Sequence, residues 1–410
     1  MTNVQYALSK LKLTRAALDA VRRDDFPYED SRTVLDAIDN VLISIEQRIQ
    51  SLSVTSNRLL ISSVCEEVTK KIAVNMDFLG FVRRSTNVRN AFEFYGPILL
   101  LSRKLLNKDI KLVITSEWKF SPFTYPRIYD HLRNFVFIGL PASESSNSLI
   151  LPLCGHELGH HAWHDLLISD KLRDEVSRHS LQSIKAEWIT FAKLFPGITQ
   201  DNLQTDMFAM DLWSHVTETA LRQCEEVYCD FIGLRIFGES YLYAFQYILA
   251  PSLGSPRHPY YPTNVDRAKY LEEAATYFKL AIPENFSDNF RNDPERGSIR
   301  DRFLLSLSDA VVAIMCSRLV EEVDELAKLR SIERTDPAKA NRIYEDICKG
   351  VPPTMEVTVG DLLNGAWIAY HDSALWENRK SLRDRKFEVL NEITLKALEV
   401  VEAIERMGRP

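Results

Sequence analysis

The chain has 410 residues, of which 45% are hydrophobic, and this is enough apolar material for a substantial core. Its length corresponds to two or three structural units of roughly 150 residues, or to one large α-rich body, and its composition excludes global disorder, a collagen-like rod and a disulfide-rich miniprotein. The formal net charge of −7 argues against a protein that mainly binds phosphate backbones or anionic lipid, so no nucleic-acid partner is predicted.

The first part of the chain is predicted to be helical. Apolar residues such as Val4 and Leu8 recur at helical spacing, and a second stripe follows in which Asp30 or Ser31 is suited to cap the helix. Such stripes are typical of a packing scaffold, and a helical bundle that binds a partner is the alternative.

Short strands are predicted next, followed by a return to helices. The β-branched and aromatic runs Lys111–Thr115 and Asn134–Leu140 indicate strands, whereas the stripes Leu172–Phe195, Phe208–Phe237 and Ile299–Leu329 indicate long helices. The sequence therefore predicts a mostly α protein with a small β-sheet, an α+β fold. We expect a helical N-terminal region at 1–105, a catalytic core at 106–285 and a helical C-terminal region at 286–410.

The sequence also carries features that bear on location. Its apolar runs, such as those near Pro97–Leu101 and Leu149–Leu153, are much shorter than the roughly 18–20 residues that cross a bilayer, so no membrane span is expected. The N-terminal segment is charged and amphipathic and lacks the apolar stretch of a signal peptide. The six cysteines form no Cys-x-x-Cys pair, which favours reduced thiols in a cytoplasmic protein.

One motif points to metal chemistry. The segment His156-Glu157-Leu158-Gly159-His160 has the pattern H-E-x-x-H. On a helix, residues four apart differ by about 40° in azimuth and 6 Å in rise, so both imidazoles can bind one metal ion. The carboxylate of Glu157 projects to the neighbouring side, where it can reach a water but not the metal.

Two histidines leave a third protein ligand to be found. A metzincin would have a glycine and a third histidine at positions that Trp163 and Leu166 occupy here, so that class is excluded. Farther along, Glu226 and Asp230 are four residues apart on the predicted helix 208–237 and share one of its faces. Glu225 is the competing ligand, but a cysteine stands four residues after it.

These motifs resemble the gluzincin metallopeptidases, in which a second helix with E-x-x-x-D follows the H-E-x-x-H helix. The resemblance implies a zincin-like core with zinc held by His156, His160 and Glu226, and an Asp230 carboxylate that orients a ligating imidazole through its other ring nitrogen. His164 is expected near the site or at the surface, with an extra ligand as the alternative, and His161 is expected to point away.

A looser similarity extends to the prenyl-protease-like branch of the gluzincins. That branch has a His-Pro pair followed by an arginine downstream of the third ligand, and this chain has His258-Pro259 before Arg267. Here the spacing is longer, and Pro262, at the familiar distance, follows Tyr261 instead. The resemblance implies that one of His258, Tyr261 or Arg267 stabilises the oxyanion. It covers about residues 134–270.

The resemblance implies a soluble zinc-dependent endopeptidase that acts on a protein or peptide. Glu157 would act as general base, and the run Asn134–Leu140 would form an edge strand against which the substrate pairs. Two alternatives remain open: a zinc aminopeptidase, and a helical interaction or regulatory protein whose metal site is structural. A further hypothesis is that the helical flanks restrain the protease until a regulatory partner binds.

Overall fold

A computed structural model describes residues 3–52, 57–87, 92–125, 130–353, 357–379 and 381–407. The protein is 73% helical and contains one three-stranded sheet, which confirms the prediction of a mostly α fold with a small β-sheet. It divides into two compact units, residues 1–95 with 108–146 and residues 96–107 with 147–410. The second unit extends past position 285, where the catalytic core was predicted to end. The division into an N-terminal region, a catalytic core and a C-terminal region with different functions stays a prediction.

Three long helices make up most of the first unit: α1 (Asn3–Val21), α2 (Glu29–Ser51) and α3 (Arg58–Arg84). Their apolar stripes pack into one core, as their periodicity predicts. The predicted cap of α2 is wrong, because the residue that precedes this helix is Tyr28. The Asp30 carboxylate instead accepts hydrogen bonds from the Tyr95 hydroxyl and the Leu112 backbone N–H. The Ser31 hydroxyl is bonded to Ser85.

The sheet of the first unit contains β1 (Lys111–Glu117), β2 (Phe123–Thr124) and β3 (Phe135–Pro141) in the order β1-β3-β2. β1 pairs with β3 in parallel along its whole length, and β2 pairs antiparallel with Ile138 and Gly139. The prediction that this run is an edge strand is therefore wrong. β3 is the central strand, and every one of its residues is buried, as the continuous apolar run of a central strand requires.

The second unit is built from helices. They are α4 (Tyr95–Leu105), α5 (Cys154–Asp165), α6 (Ile168–Ala186), α7 (Trp188–Leu194), α8 (Met207–Phe237), α9 (Glu239–Leu249), α10 (Asn264–Phe278), α11 (Ile299–Leu329), α12 (Pro337–Lys349), α13 (Val359–His371), α14 (Ser373–Glu377) and α15 (Lys386–Met407). The predicted helix Leu172–Phe195 is two helices, α6 and α7, separated at Glu187.

The helix α8 is the centre of the second unit. The helices α5, α6, α9, α10, α11 and α13 pack against it. Its second half is buried almost throughout, which explains why its sequence is apolar on all sides between its few charged residues. The carboxylates that this half carries are therefore buried as well, and they require partners.

One of the described helices, α11, is long and apolar enough to cross a membrane, with a mean hydropathy of 1.8 in its most apolar stretch. Asp309 and Arg318 interrupt its sequence, so a search for uninterrupted apolar runs does not find it. Half of the stretch is buried within the protein, and core helices of soluble proteins have the same character. The expected absence of a membrane span stays a prediction.

The cysteines agree with the expectation of reduced thiols. All six are free, and five of them are buried. Three of the buried thiols, Cys154, Cys224 and Cys229, belong to the helices α5 and α8.

Candidate metal centre

The helix that carries the H-E-x-x-H motif follows a segment whose position is fixed by hydrogen bonds. A 3-10 helix, Ser148–Leu153, leads directly into α5. Its start is held by Asn391, whose Oδ1 accepts hydrogen bonds of 2.7 Å from the Ser148 backbone N–H and 2.6 Å from the Ser148 hydroxyl. The Trp367 indole N–H donates to the Leu149 carbonyl at 3.2 Å. These bonds, together with the burial of the segment, set the starting position of α5.

Two glycines bring α5 into backbone contact with α8. A Cβ atom added to Gly155 would lie 2.7 Å from the Cα atom of Gly233, and one added to Gly159 would lie 2.7 Å from the Cα atom of Cys229. Real Cβ atoms do not approach other carbons so closely, so only glycine permits this helix spacing. The close approach brings the imidazoles of α5 within reach of the carboxylates of α8.

The two histidines of the motif face the same carboxylate. The Nε2 atom of His156 lies 3.3 Å from Oε2 of Glu226, and the Nε2 atom of His160 lies 3.8 Å from Oε1 of the same residue. Oε2 of Glu226 is buried, and it has no hydrogen-bond partner among the described residues. A buried carboxylate oxygen that no donor satisfies is costly unless a cation binds it. Glu226 is therefore placed as a third ligand requires.

The other nitrogen of each ring is also bonded to a carboxylate. The Nδ1 atom of His156 lies 2.8 Å from Oδ1 of Asp230, and the Nδ1 atom of His160 lies 3.0 Å from Oε1 of Glu225. A carboxylate accepts hydrogen bonds, so it selects the tautomer with the proton on Nδ1 and leaves the Nε2 lone pair free to bind a metal. Asp230 occupies the predicted position. Glu225, the competing ligand, contacts the opposite side of the ring from Glu226.

Asp230 is itself held from two further sides. The Arg267 guanidinium donates two hydrogen bonds of 2.8 Å to it, and the Tyr241 hydroxyl donates one of 2.7 Å. Burial works to raise the pKa of Asp230, but the charge of Arg267 and the contact with His156 outweigh it and hold this pKa well below its ordinary value. The carboxylate is therefore ionised where it meets His156.

The general-base candidate Glu157 has a different environment. Its side chain is buried, and burial raises its pKa above the ordinary value, although the nearby His156 and His160 work in the opposite direction. A carboxyl group with a raised pKa accepts a proton more readily near neutral pH than an exposed glutamate does.

The electrostatics of the site favour a bound cation. Burial works to lower the pKa of both motif histidines, but the carboxylates of Asp230, Glu225 and Glu226 outweigh it and raise the pKa of each ring. A field that favours a proton on an imidazole also favours a metal ion in its place. Two imidazoles and a carboxylate are a donor set that zinc accepts, so the residues present fit this metal.

Cys229 is a further neighbour of the two motif histidines. Its Sγ atom and one ring nitrogen each of His156 and His160 lie within 4.8 Å of one another, a spacing that could hold a metal ion. Its position three residues after Glu226 on the same helix could have indicated this, because residues i and i+3 share a face. Burial and the surrounding carboxylates raise the pKa of this thiol well above its ordinary value, which disfavours the thiolate that a metal binds.

The three oxyanion candidates are placed differently. The charge of Glu226 is the largest cause of the raised pKa of Tyr261, whose side chain is 41% exposed. The guanidinium of Arg267 lies 5.8 Å from the Tyr261 ring, but it is buried and bonded to Asp230. His258 is exposed, and its ring contacts those of Tyr260 and Tyr261. Tyr261 is therefore the candidate that is both exposed and in contact with a buried residue of the site, Arg267.

The two remaining histidines of the motif helix have distinct surroundings. His161 is buried, and burial lowers its pKa to about 3, so its ring is neutral. His164 is half-buried. Its Nε2 atom lies 2.9 Å from Oε1 of Glu225.

The sequence matches no protein-family model, no curated protein and no solved structure. The resemblance to gluzincins therefore stays a prediction that rests on the motif residues.

Proposed function

We propose that this chain is a zinc-dependent endopeptidase of the gluzincin type, which hydrolyses peptide bonds in a protein or peptide substrate. His156, His160 and Glu226 would hold the ion. The observation that supports this most strongly is the buried Oε2 of Glu226, which faces a histidine Nε2 at 3.3 Å and has no hydrogen-bond partner among the described residues. The neighbouring Glu157, with its raised pKa, supports catalysis in addition to metal binding.

When bound, a zinc ion supplies Lewis-acid chemistry, because it polarises a substrate carbonyl and makes a water molecule nucleophilic near neutral pH. Glu157 accepts the proton of that water during attack and delivers it to the departing amine. The Tyr261 hydroxyl donates a hydrogen bond to the carbonyl oxygen as negative charge develops there. Asp230 and Arg267 act indirectly, because Asp230 holds the His156 ring in one tautomer and Arg267 holds Asp230.

The central test compares the wild type with Glu157→Gln. Purified protein should bind about one zinc ion per chain, and the variant should bind the same amount because Glu157 is not a ligand. Cleavage of a proteome-derived peptide library should fall by roughly 10²–10⁴-fold, the usual loss when a general base is removed. Glu218→Gln, an exposed site on α8, serves as the matched control. A Glu157→Gln variant that cleaves as well as the wild type would refute the assignment.

Peptides with blocked and free N-termini distinguish the aminopeptidase alternative from an endopeptidase. An endopeptidase cleaves peptides with acetylated and free N-termini at similar rates, whereas an aminopeptidase requires the free α-amine. We therefore expect comparable cleavage of a peptide and its acetylated form. Cleavage confined to the free form would support the aminopeptidase.

A structural metal site is the second candidate, and the position of Cys229 favours it. If His156, His160, Glu226 and Cys229 all bound the ion, the site would be closed and would leave no position for water. Cobalt substitution tests this directly, because a cysteine ligand gives cobalt a thiolate charge-transfer band in the near ultraviolet. The endopeptidase predicts that this band is absent and that Cys229→Ser keeps both zinc and activity.

A further inference from the structure

We propose that Glu225 is the positioning residue for His160, and that Arg222 holds its carboxylate in place. Each ligand imidazole then has its own orienting carboxylate, Asp230 for His156 and Glu225 for His160. The proposal rests on the proposed function only in requiring that these two histidines bind the metal.

The geometry of Glu225 carries this inference. Its Oε1 atom lies 3.0 Å from Nδ1 of His160 and 2.9 Å from Nε2 of His164. Its Oε2 atom accepts a hydrogen bond of 3.2 Å from the Arg222 guanidinium. The side chain of Glu225 is buried, so these three neighbours are what compensate its charge.

The position of this carboxylate relative to the metal ligands defines its role. Glu226, the next residue on α8, faces the Nε2 side of the two rings, whereas Glu225 contacts the Nδ1 side of His160. One ring cannot offer both nitrogens to the same ion. Glu225 therefore acts through His160, by fixing the proton on Nδ1 and the rotation of the ring.

The two orienting carboxylates differ in their support. Asp230 is held by the buried Arg267 and Tyr241, whereas Glu225 is held by Arg222, whose side chain is 35% exposed. The support of Glu225 is therefore more exposed to solvent than the support of Asp230. His164 lies one turn after His160 on α5, and its buried Nε2 atom is 2.9 Å from this carboxylate without the geometry of a hydrogen bond.

The first experiment measures zinc affinity by competition with a chromogenic chelator, and it needs no substrate. Glu225→Gln should weaken binding by about 10–100-fold, as the loss of an orienting carboxylate usually does, while the stoichiometry stays that of the wild type. His164→Gln should weaken it less, because Arg222 still holds the carboxylate. Glu218→Gln, two turns earlier on α8 and exposed, should leave the affinity unchanged.

The second experiment observes the Nδ1 proton of each ligand imidazole directly. In protein loaded with cobalt(II), proton NMR resolves the exchangeable Nδ1–H signals of ligand imidazoles, and the wild type should show two. Glu225→Gln should shift one of them or remove it through faster exchange, whereas Asp230→Asn should affect the other. A residue that serves only the stability of the fold would leave both signals in place.

The outcomes separate this inference from the peptidase proposal. If the wild type binds zinc and Glu225→Gln changes neither affinity nor spectrum, the positioning role is wrong. If Glu225→Gln abolishes stoichiometric binding as Glu226→Gln does, Glu225 is a ligand and the inference is also overturned. A wild type that binds no metal overturns both proposals. The expected affinity and NMR changes in a chain that cleaves no peptide would support the inference and refute the peptidase.

Discussion

The guanidinium of Arg267 donates two hydrogen bonds, each of 2.8 Å, to the carboxylate of Asp230. Both side chains are buried, and they lie 37 residues apart in the sequence. The pair links α10 to α8 beneath the candidate metal ligands and fixes the carboxylate oxygen that meets His156.

Removal of this carboxylate charge should affect both metal binding and stability. We expect Asp230→Asn to weaken zinc binding by roughly 10–100-fold, because the His156 ring loses its ionised acceptor. In the presence of a chelator, the free energy of unfolding should fall by about 3–5 kcal/mol, since a buried guanidinium is left without its partner. Chelator competition and urea titration measure the two effects.

Asp211→Asn provides the control for this variant. Asp211 lies on the same helix, α8, but is exposed, so its loss should change neither quantity by more than about 0.5 kcal/mol. If Asp230→Asn behaves like Asp211→Asn in both measurements, the geometry of the pair has no bearing on the site.

The contact between α5 and α8 predicts a second effect. Gly159→Ala should lower the thermal midpoint and the zinc affinity together, because its Cβ would lie 2.7 Å from the Cα atom of Cys229 and would push the two helices apart. Helix propensity alone would make alanine more stable than glycine by about 1 kcal/mol, so a loss of stability identifies the contact as the cause.

Gly80→Ala on α3 is the matched control, since its Cβ would meet only the end of the flexible Arg84 side chain, at 3.4 Å. This variant should stabilise the first unit by up to about 1 kcal/mol and leave zinc binding unchanged. Equal stabilisation by both alanines would show that the helices can separate without cost.

The sequence predicted those features that depend on local periodicity. The helices α8 and α11 were found because a long apolar stripe repeats at 3.6 residues, and the imidazole pair was found because residues four apart share a helix face. That Glu226 faces the two histidines was predicted only from the resemblance to gluzincins. The short distance between α5 and α8 depends on two glycines, and their role becomes visible only in the packing of the helices.

Other features of the site depend on contacts that no local pattern encodes. Glu225 and Glu226 are neighbours in sequence, and only the packing of α8 against α5 decides which of them faces Nε2 and which faces Nδ1. The sequence of β3 is a continuous apolar run, and this pattern does not distinguish a central strand from an edge strand. Its pairing with β2 over only two residues makes it central, and such a short strand has no periodicity to detect.

A third prediction concerns acid stability through Asp324. Burial works to raise the pKa of this carboxyl, but hydrogen bonds from Lys328, Arg334 and Arg235 outweigh it and lower the pKa to about 2. Because the unfolded chain takes up the proton at a higher pH than the folded protein, the carboxylate stabilises the fold above about pH 4 and loses this effect as the pH falls towards about 2.

Comparison with Asp324→Asn isolates this contribution. The difference in unfolding free energy between the wild type and the variant should shrink by about 2 kcal/mol when the pH is lowered from about 5 to about 2, as urea titrations at each pH would measure. A difference that is independent of pH over this range would mean that the folded-state pKa of Asp324 is not lowered.

The last prediction concerns Tyr261, which is exposed and whose ring lies 5.8 Å from the guanidinium of Arg267. In the proposed endopeptidase, its hydroxyl donates a hydrogen bond that strengthens as the carbonyl oxygen becomes negative. Tyr261→Phe should therefore lower kcat by roughly 10²–10³-fold with little change in KM or in zinc affinity. Tyr260→Phe makes the same chemical change at the adjacent exposed ring and should leave kcat unchanged. A Tyr261→Phe variant that raises KM alone would assign this residue to substrate binding, and the oxyanion would then require another donor.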